Sequence, residues 1–192
     1  MKLPNIPDVE KWVKTQVSAQ RFIHIRGVVG EARKLARAHQ VPEEKAVLSA
    51  WFHDCAKEWT REKMLEALKG SAFKLDAVEK KMPALWHPHA GAAAIVKMWK
   101  VRDAEILEAV RCHTLGSPKM GPVAQVLFVA DFVEPGRIHA GRAETRRAAF
   151  SSLRLGVLEK SSRVIGDLLA RNARIHPRLV ETWNSFLGPE AV

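Results

Sequence analysis

The sequence contains no tyrosine and only two cysteines, Cys55 and Cys112. Two cysteines are too few for a disulfide scaffold, and they lack the CxxC spacing of a thiolate zinc site. We therefore expect both thiols to be reduced and buried, and we expect the protein to work in the reducing cytoplasm.

Long apolar runs are also absent. The longest ones, Ala90–Val96 and Val126–Ala130, are far shorter than the roughly 20 residues needed to span a bilayer. The N-terminal segment MKLPNIPDVEKW lacks the apolar core of a signal peptide. The sequence therefore predicts no membrane partner, and its 192 residues fit one globular domain.

Acidic residues are fewer than basic ones, with 21 Asp and Glu against 31 Lys and Arg and a net charge of +10. The imbalance is largest between Arg137 and Arg178, where ten basic residues and three acidic ones give +7. A basic segment attracts polyanions, which include nucleic acids and phosphate-rich small molecules. An ordinary solvated basic surface explains the charge equally well, so charge alone does not decide the ligand.

Helical periodicity recurs along the chain, and alternating strand-like patterns are missing. Helix starts are marked by residues such as Pro42, which suits the first position of a helix running to about Lys57. The predicted fold class is all-α, in a single domain. The periodicity predicts helices over about 7–19, 21–39, 42–57, 61–69, 73–81, 88–99, 103–113, 121–133, 145–172 and 177–187.

Ionisable residues take positions that the periodicity assigns to the interior. His53 and Asp54 come three and four residues after Ala50 on the stripe of their helix. Similar positions at or near the ends of other stripes or helices are held by His24, His87, His113 and Asp131. Any one of these, taken alone, is explained by a core histidine bonded to a carbonyl or by a capping aspartate.

Six such positions, spread over several helices, are better explained together. A buried, unpaired carboxylate is unfavourable, and a bound cation offsets its burial. Mixed imidazole and carboxylate ligands are typical of Fe, Mn, Zn or Ni sites. The pattern therefore predicts a metal centre in which His24 lies far upstream and Asp131 far downstream of the adjacent His53-Asp54 pair.

The pattern H…HD…D, carried by His24, His53-Asp54 and Asp131, resembles the HD-domain metal-dependent phosphohydrolases. The segments RFIHIRGV, AWFHDCAKE, LWHPHAGA, CHTLGSPKM, VLFVADFVEPGR and IHP follow the order found in the YqeK-type bacterial HD proteins, which are symmetrical diadenosine tetraphosphate hydrolases. The resemblance spans about Arg21 to Trp183. It implies an HD-type helical bundle over residues 21–192, preceded by a helical extension over residues 1–20.

The resemblance also implies the roles of individual residues. The ligands of a two-metal centre, usually described as iron, are matched by His24, His53, Asp54, His87, His113 and Asp131, with Asp54 as the bridge. Catalytic and phosphate-facing roles fall to Lys57 and Arg137. Thr114 and Gly116 of the HTxG loop match the nucleotide-facing region. The implied reaction is metal-dependent cleavage of a dinucleoside polyphosphate, which makes a small nucleotide the expected partner.

The sequence departs from the family pattern in two ways. Cys112 and Phe132 stand where relatives often carry Tyr, and His87 is followed by Pro-His rather than Gly-Pro. The second departure leaves His89 as a competitor of His87 for the metal, and we favour His87. Two functional alternatives also stay open: an HD-type nucleotidase or phosphodiesterase with another substrate, and, with less support, an RNA-binding helical module.

Overall fold

The computed structural model describes residues 3–188, and in that range every regular element is helical. The ten α-helices are α1 (Ile6–Gln16), α2 (Ala19–Ala38), α3 (Glu43–Phe52), α4 (Arg61–Leu68), α5 (His87–Trp99), α6 (Ala104–Cys112), α7 (Pro122–Val133), α8 (Arg142–Ser151), α9 (Leu153–Ala170) and α10 (Pro177–Ser185). Two short 3₁₀ helices, Glu79–Lys81 and Pro83–Leu85, precede α5. The all-α prediction is confirmed.

Polar side chains cap several of these helices as the sequence indicates. The Ser18 hydroxyl accepts a hydrogen bond from the Arg21 N–H at the start of α2, and Thr60 does the same for Lys63 at the start of α4. Such caps satisfy backbone donors that the first helical turn leaves free. They fix where each helix begins, and α2 in particular begins one turn before His24.

Helix α7 lies at the centre of the bundle. It packs against α2, α3, α6, α8 and α9, and the run Val126–Ala130 is fully buried. A helix that is apolar on all sides is expected only where neighbours surround it. Helix α1 adds Val9 and Val13 to the same core. The division into an extension over residues 1–20 and a domain over residues 21–192 stays a prediction.

Three predicted helices have different limits in the structure. The predicted 73–81 helix is wrong, because residues 73–76 have no regular structure and are followed by a turn and the 3₁₀ helix Glu79–Lys81. The predicted 145–172 helix is interrupted at Ser152, whose backbone is extended (φ −158°), so that α9 can fold back onto α8. Helix α3 ends at Phe52, so His53 and Asp54 lie at the start of the turns that follow it.

Candidate metal centre

Six side chains from five segments of the chain converge at one end of the bundle. His53 and His113 directly follow α3 and α6, and His87 is the first residue of α5. His24 and Asp131 project from within α2 and α7. The ligand atoms form two groups, each within 4.8 Å: His24, His53 and Asp131 in one, and Asp54, His87 and His113 in the other.

Three of the four histidines are oriented by their own backbone. Nδ1 of His53, His87 and His113 donates to the carbonyl three residues earlier in the chain, at 2.7, 2.9 and 2.8 Å. Each Nε2 therefore carries a lone pair, which points into the centre. For His53 and His113 this is possible because carbonyls near a helix C-terminus have no partner within the helix. His87 instead uses the Ala84 carbonyl of the 3₁₀ helix that precedes α5.

Asp54 lies between the two groups. Its Oδ1 is 3.2 Å from His87 Nε2 and 3.5 Å from His113 Nε2. Its Oδ2 is 3.6 Å from His53 Nε2 and 3.8 Å from His24 Nε2. The two oxygens of one carboxylate thus face different sets of imidazoles.

The centre is crowded with acceptors. Nε2 of His87 and Nε2 of His113 lie 3.1 Å apart although both Nδ1 atoms are already donors. Nε2 of His24 and Nε2 of His53 are buried without a hydrogen-bond partner. Buried lone pairs that converge on one another are unfavourable unless a cation lies between them. These donor atoms therefore suit divalent transition metals.

The protonation states of His53, His87 and the two aspartates fit the same interpretation. Burial lowers the pKa of His53 and that of His87 to about 4, so both imidazoles are neutral at pH 7. Burial by itself would raise the pKa of Asp54, but the neighbouring imidazoles outweigh it and hold that pKa well below its usual range. Burial would also raise the pKa of Asp131, but His24, Lys160 and Arg137 favour its charged form and hold that pKa well below its usual range. Neutral imidazoles and ionised carboxylates are the forms that bind metals.

A cavity of about 750 Å³ opens onto this centre. Asp54 and Asp131 line it, together with Thr114 and the five cations Arg21, Lys57, Arg137, Lys160 and Arg163. Nζ of Lys57 lies 3.4 Å from His87 Nε2, and burial lowers the pKa of Lys57. Gly116 is not part of the cavity wall: its positive φ of 72° forms the turn after Thr114, and a Cβ there would press on Thr182 of α10.

Several residues of this cavity are not among those predicted from the sequence. Arg21 donates to Asp54 Oδ2 at 3.0 Å. It is the first residue of the segment RFIHIRGV, and its position in that motif is the sequence feature that could have identified it. Lys160 is buried in α9, donates to the carbonyls of His113 (3.1 Å) and Phe128 (2.6 Å), and lies 3.6 Å from Asp131. Nothing in the helical pattern of α9 distinguishes Lys160 from a surface lysine.

His87, and not His89, faces the metal centre. Nε2 of His89 lies 2.9 Å from Oε1 of Glu79, on the far side of the first turn of α5. Glu79, Asp76 and His176 form a further group of metal-ligand types. There Arg178 donates to both carboxylates, at 2.8 and 2.7 Å, and already supplies the positive charge.

Most cations of the basic segment are engaged within the fold. Arg146 bonds the buried Glu31 at 2.9 Å, and Arg154 donates to the Phe186 carbonyl at 2.9 Å. Others pair with carboxylates one helical turn away, as Arg163 does with Glu159 at 2.6 Å and Arg171 with Asp167 at 3.1 Å. The positive charge of α8 and α9 is therefore largely used in contacts within and between helices and in lining the cavity.

Both cysteines are buried free thiols, and burial raises the pKa of each. Neither belongs to a group of metal-ligand types in the described part of the chain. Between residues 3 and 188, no helix combines the length and the apolar character needed to cross a membrane.

Comparison with known proteins agrees with this geometry. The model of the HD domain family matches residues 21–136. The symmetrical bis(5′-nucleosyl)-tetraphosphatase of Bacillus subtilis (strain 168) is 32% identical over 90% of this chain and 92% of its own length. The protein of that name in Halalkalibacterium halodurans is 30% identical over 91% of this chain and 93% of its own length.

A solved structure is also similar over almost the whole chain. It is the crystal structure of a predicted HD superfamily hydrolase involved in NAD metabolism from Clostridium acetobutylicum, with a TM-score of 0.90 and 26% sequence identity. The match covers 96% of this chain and 98% of that one. With its metal-ligand arrangement, its all-helical bundle and these relatives, the chain belongs to the HD domain family of metal-dependent phosphohydrolases.

Proposed function

We propose that this protein is a symmetrical diadenosine tetraphosphatase, which hydrolyses diadenosine tetraphosphate to two ADP. The observation that carries the proposal is the acceptor-rich centre around Asp54, which opens onto a cavity lined by five cations. The names of the Bacillus and Halalkalibacterium relatives support this choice of substrate. A polyphosphate with several negative charges matches such a cavity better than a neutral substrate does.

The metal ligands in this proposal are those of the two observed groups. His24, His53 and Asp131 would hold one metal and His87 and His113 the other, with Asp54 as a ligand common to both. Two divalent metals supply a water of lowered pKa and a Lewis acid for the phosphoryl group. We propose iron, while Mn, Zn and Ni suit the same nitrogen and oxygen donors.

The chain's own cations bind the phosphates. Lys57 lies beside His87, and Arg137 donates to Asp131 Oδ1 at 2.8 Å, so both are within reach of a phosphate group bound at the centre. Arg21 approaches from α2 on the Asp54 side. In a partly buried cavity these charges neutralise the substrate and stabilise the charge that develops on the leaving phosphate.

The position of cleavage follows from how close the phosphate-binding residues are to the metal ligands. Thr114 directly follows His113, and Arg137 is six residues after Asp131. Because each of these two residues is close in the chain to a metal ligand, together they hold one nucleoside diphosphate half of the substrate at a fixed distance from the centre. Attack at the second phosphorus from that nucleoside leaves two identical products.

Chromatography of the products tests the proposal directly. With metal-loaded protein and diadenosine tetraphosphate, we expect ADP alone and close to two divalent transition metals per chain by elemental analysis. AMP plus ATP, or no reaction, would refute the symmetrical hydrolase. Lys57→Met should lower turnover strongly, whereas Lys97→Met, an exposed change on α5, should leave it unchanged.

The alternatives give different results in the same panel. A nucleotidase or phosphodiesterase would prefer mononucleotides or cyclic substrates over the dinucleotide. An RNA-binding module would bind RNA with a steep salt dependence; the internal pairing of Arg146, Arg163 and Arg178 speaks against it. The buried free thiols Cys55 and Cys112 support a cytoplasmic location as part of the proposal.

A further inference from the structure

His24 differs from the other three histidines of the centre in how its ring is held. It lies within α2, where the backbone carbonyls already accept helical hydrogen bonds. Its Nδ1 instead donates to Oε1 of Glu134, at 3.1 Å, from a residue 110 positions away in the sequence. The orientation of His24 therefore depends on a tertiary contact, whereas the others depend on local backbone.

The fold holds Glu134 firmly in this place. Glu134 is 3% exposed, and its Oε2 accepts the Gly136 N–H at 2.7 Å. The carboxylate lies against Gly27, one turn after His24, and a Cβ at that position would overlap it. Gly27 thus leaves the space that the carboxylate needs to reach the His24 ring.

We propose that Glu134 is a positioning residue that fixes the Nε2 lone pair of His24 towards the metal shared with His53 and Asp131. A carboxylate behind a ligating imidazole fixes its tautomer and strengthens it as a donor. The proposal rests on the metal centre of the proposed function. It goes beyond that function by assigning a residue outside the two ligand groups.

The consequence is an asymmetry between the two metals. The group of His24, His53 and Asp131 has a carboxylate behind one imidazole. Both imidazoles of the other group, His87 and His113, are held only by backbone carbonyls. Loss of Glu134 should therefore weaken one metal site and leave the other intact.

Three variants of the full chain separate charge, hydrogen bond and position. Glu134→Ala removes both the charge and the acceptor, and Glu134→Gln keeps an acceptor without the charge. Gly27→Ala keeps the carboxylate but displaces it from His24. Glu31→Gln is the control, because Glu31 is an equally buried carboxylate on α2 that bonds Lys34 and Arg146 instead.

Zn²⁺ titration against a competing chelator is the first measurement. The wild-type chain should show two sites. Glu134→Ala and Gly27→Ala should weaken one of them by about 10- to 100-fold and leave the other unchanged. Glu134→Gln should fall between wild type and Glu134→Ala, and Glu31→Gln should keep both affinities even where it lowers the melting temperature.

The hydrogen bond of the His24 Nδ1–H is the second measurement and does not depend on activity. In ¹⁵N spectra of the Zn²⁺-loaded chain, the Nδ1–H of His24 should show the shift and slow exchange of a hydrogen-bonded group in wild type and should lose both in Glu134→Ala. Unchanged affinities and an unchanged His24 signal would overturn the proposal, as would equal weakening of both sites. A wild-type chain without Zn²⁺ sites would refute the metal centre itself and this inference with it.

Discussion

The cluster around Glu79 should make the protein lose stability as the pH falls below about 4.5, and Glu79→Gln should remove most of that pH dependence. Glu79 is 1% exposed and accepts hydrogen bonds from the Asp76 N–H (2.9 Å), His89 (2.9 Å) and Arg178 (2.8 Å). Burial alone would raise the pKa of Glu79, but these partners outweigh it and lower that pKa from 4.5 to about 2. The same contacts join α10 to the segment that carries His87.

The magnitude follows from the two pKa values. Each pKa unit corresponds to about 1.4 kcal/mol, so the ionised Glu79 contributes about 3 kcal/mol to the free energy of unfolding. Because the folded pKa is the lower one, the contribution is complete above about pH 4.5 and is lost as the pH falls towards 2. At pH 3 about 2 kcal/mol of it is already gone.

Urea unfolding of wild type and Glu79→Gln at pH 6 and pH 3, with a chelator present, checks this value. The variant should be less stable by about 3 kcal/mol at pH 6 and by only about 1 kcal/mol at pH 3. Glu144→Gln, an exposed change on α8, is the control and should differ little from wild type at either pH. A gap between wild type and Glu79→Gln that is the same at both pH values would refute the reasoning.

Three further outcomes follow from other parts of the structure. Asp54→Asn should lower turnover of diadenosine tetraphosphate by about 10³-fold or more, because an amide does not supply the negative charge of the carboxylate. The circular dichroism spectrum should stay unchanged. Near wild-type turnover would show that Asp54 is structural. Gly156→Ala should lower the melting temperature, because the added Cβ would lie 2.6 Å from the Ala149 Cβ. Gly166→Ala on the same helix adds a Cβ in open space and should stabilise the protein by up to about 1 kcal/mol. Cys55, fully buried with a raised pKa, should react with a thiol reagent only after unfolding, so rapid labelling of the native protein would contradict its placement.

The metal-ligand types could be predicted from the sequence because polar residues there interrupt an otherwise regular pattern. His53 and His113 end apolar stripes, and the structure places both beside Asp54. The choice between His87 and His89 could not be made in this way, because it depends on Glu79 from a segment without regular periodicity. A residue's partner across the fold is not encoded in its local spacing.

The wrong helix over 73–81 has a related cause. Asp76 Oδ1 accepts the N–H groups of Val78 and Glu79, both at 2.8 Å, which favours a turn over a continuing helix. Lys160 and Glu134 were missed because a buried charged side chain on a helix looks like a surface one until its partners are known. Tertiary contacts decided each of these cases.

The residues that line the cavity come from different stretches of the chain. The ligand groups lie within residues 21–136, whereas Arg163, Val164 and Asp167 of α9 line the cavity from later in the chain. Changes at these three positions, unlike changes at Lys160 beside Asp131, can therefore alter which nucleotide fits without disturbing the reactive centre. A descendant of this protein could acquire a new substrate by substitutions in a single helix while its chemistry stays the same.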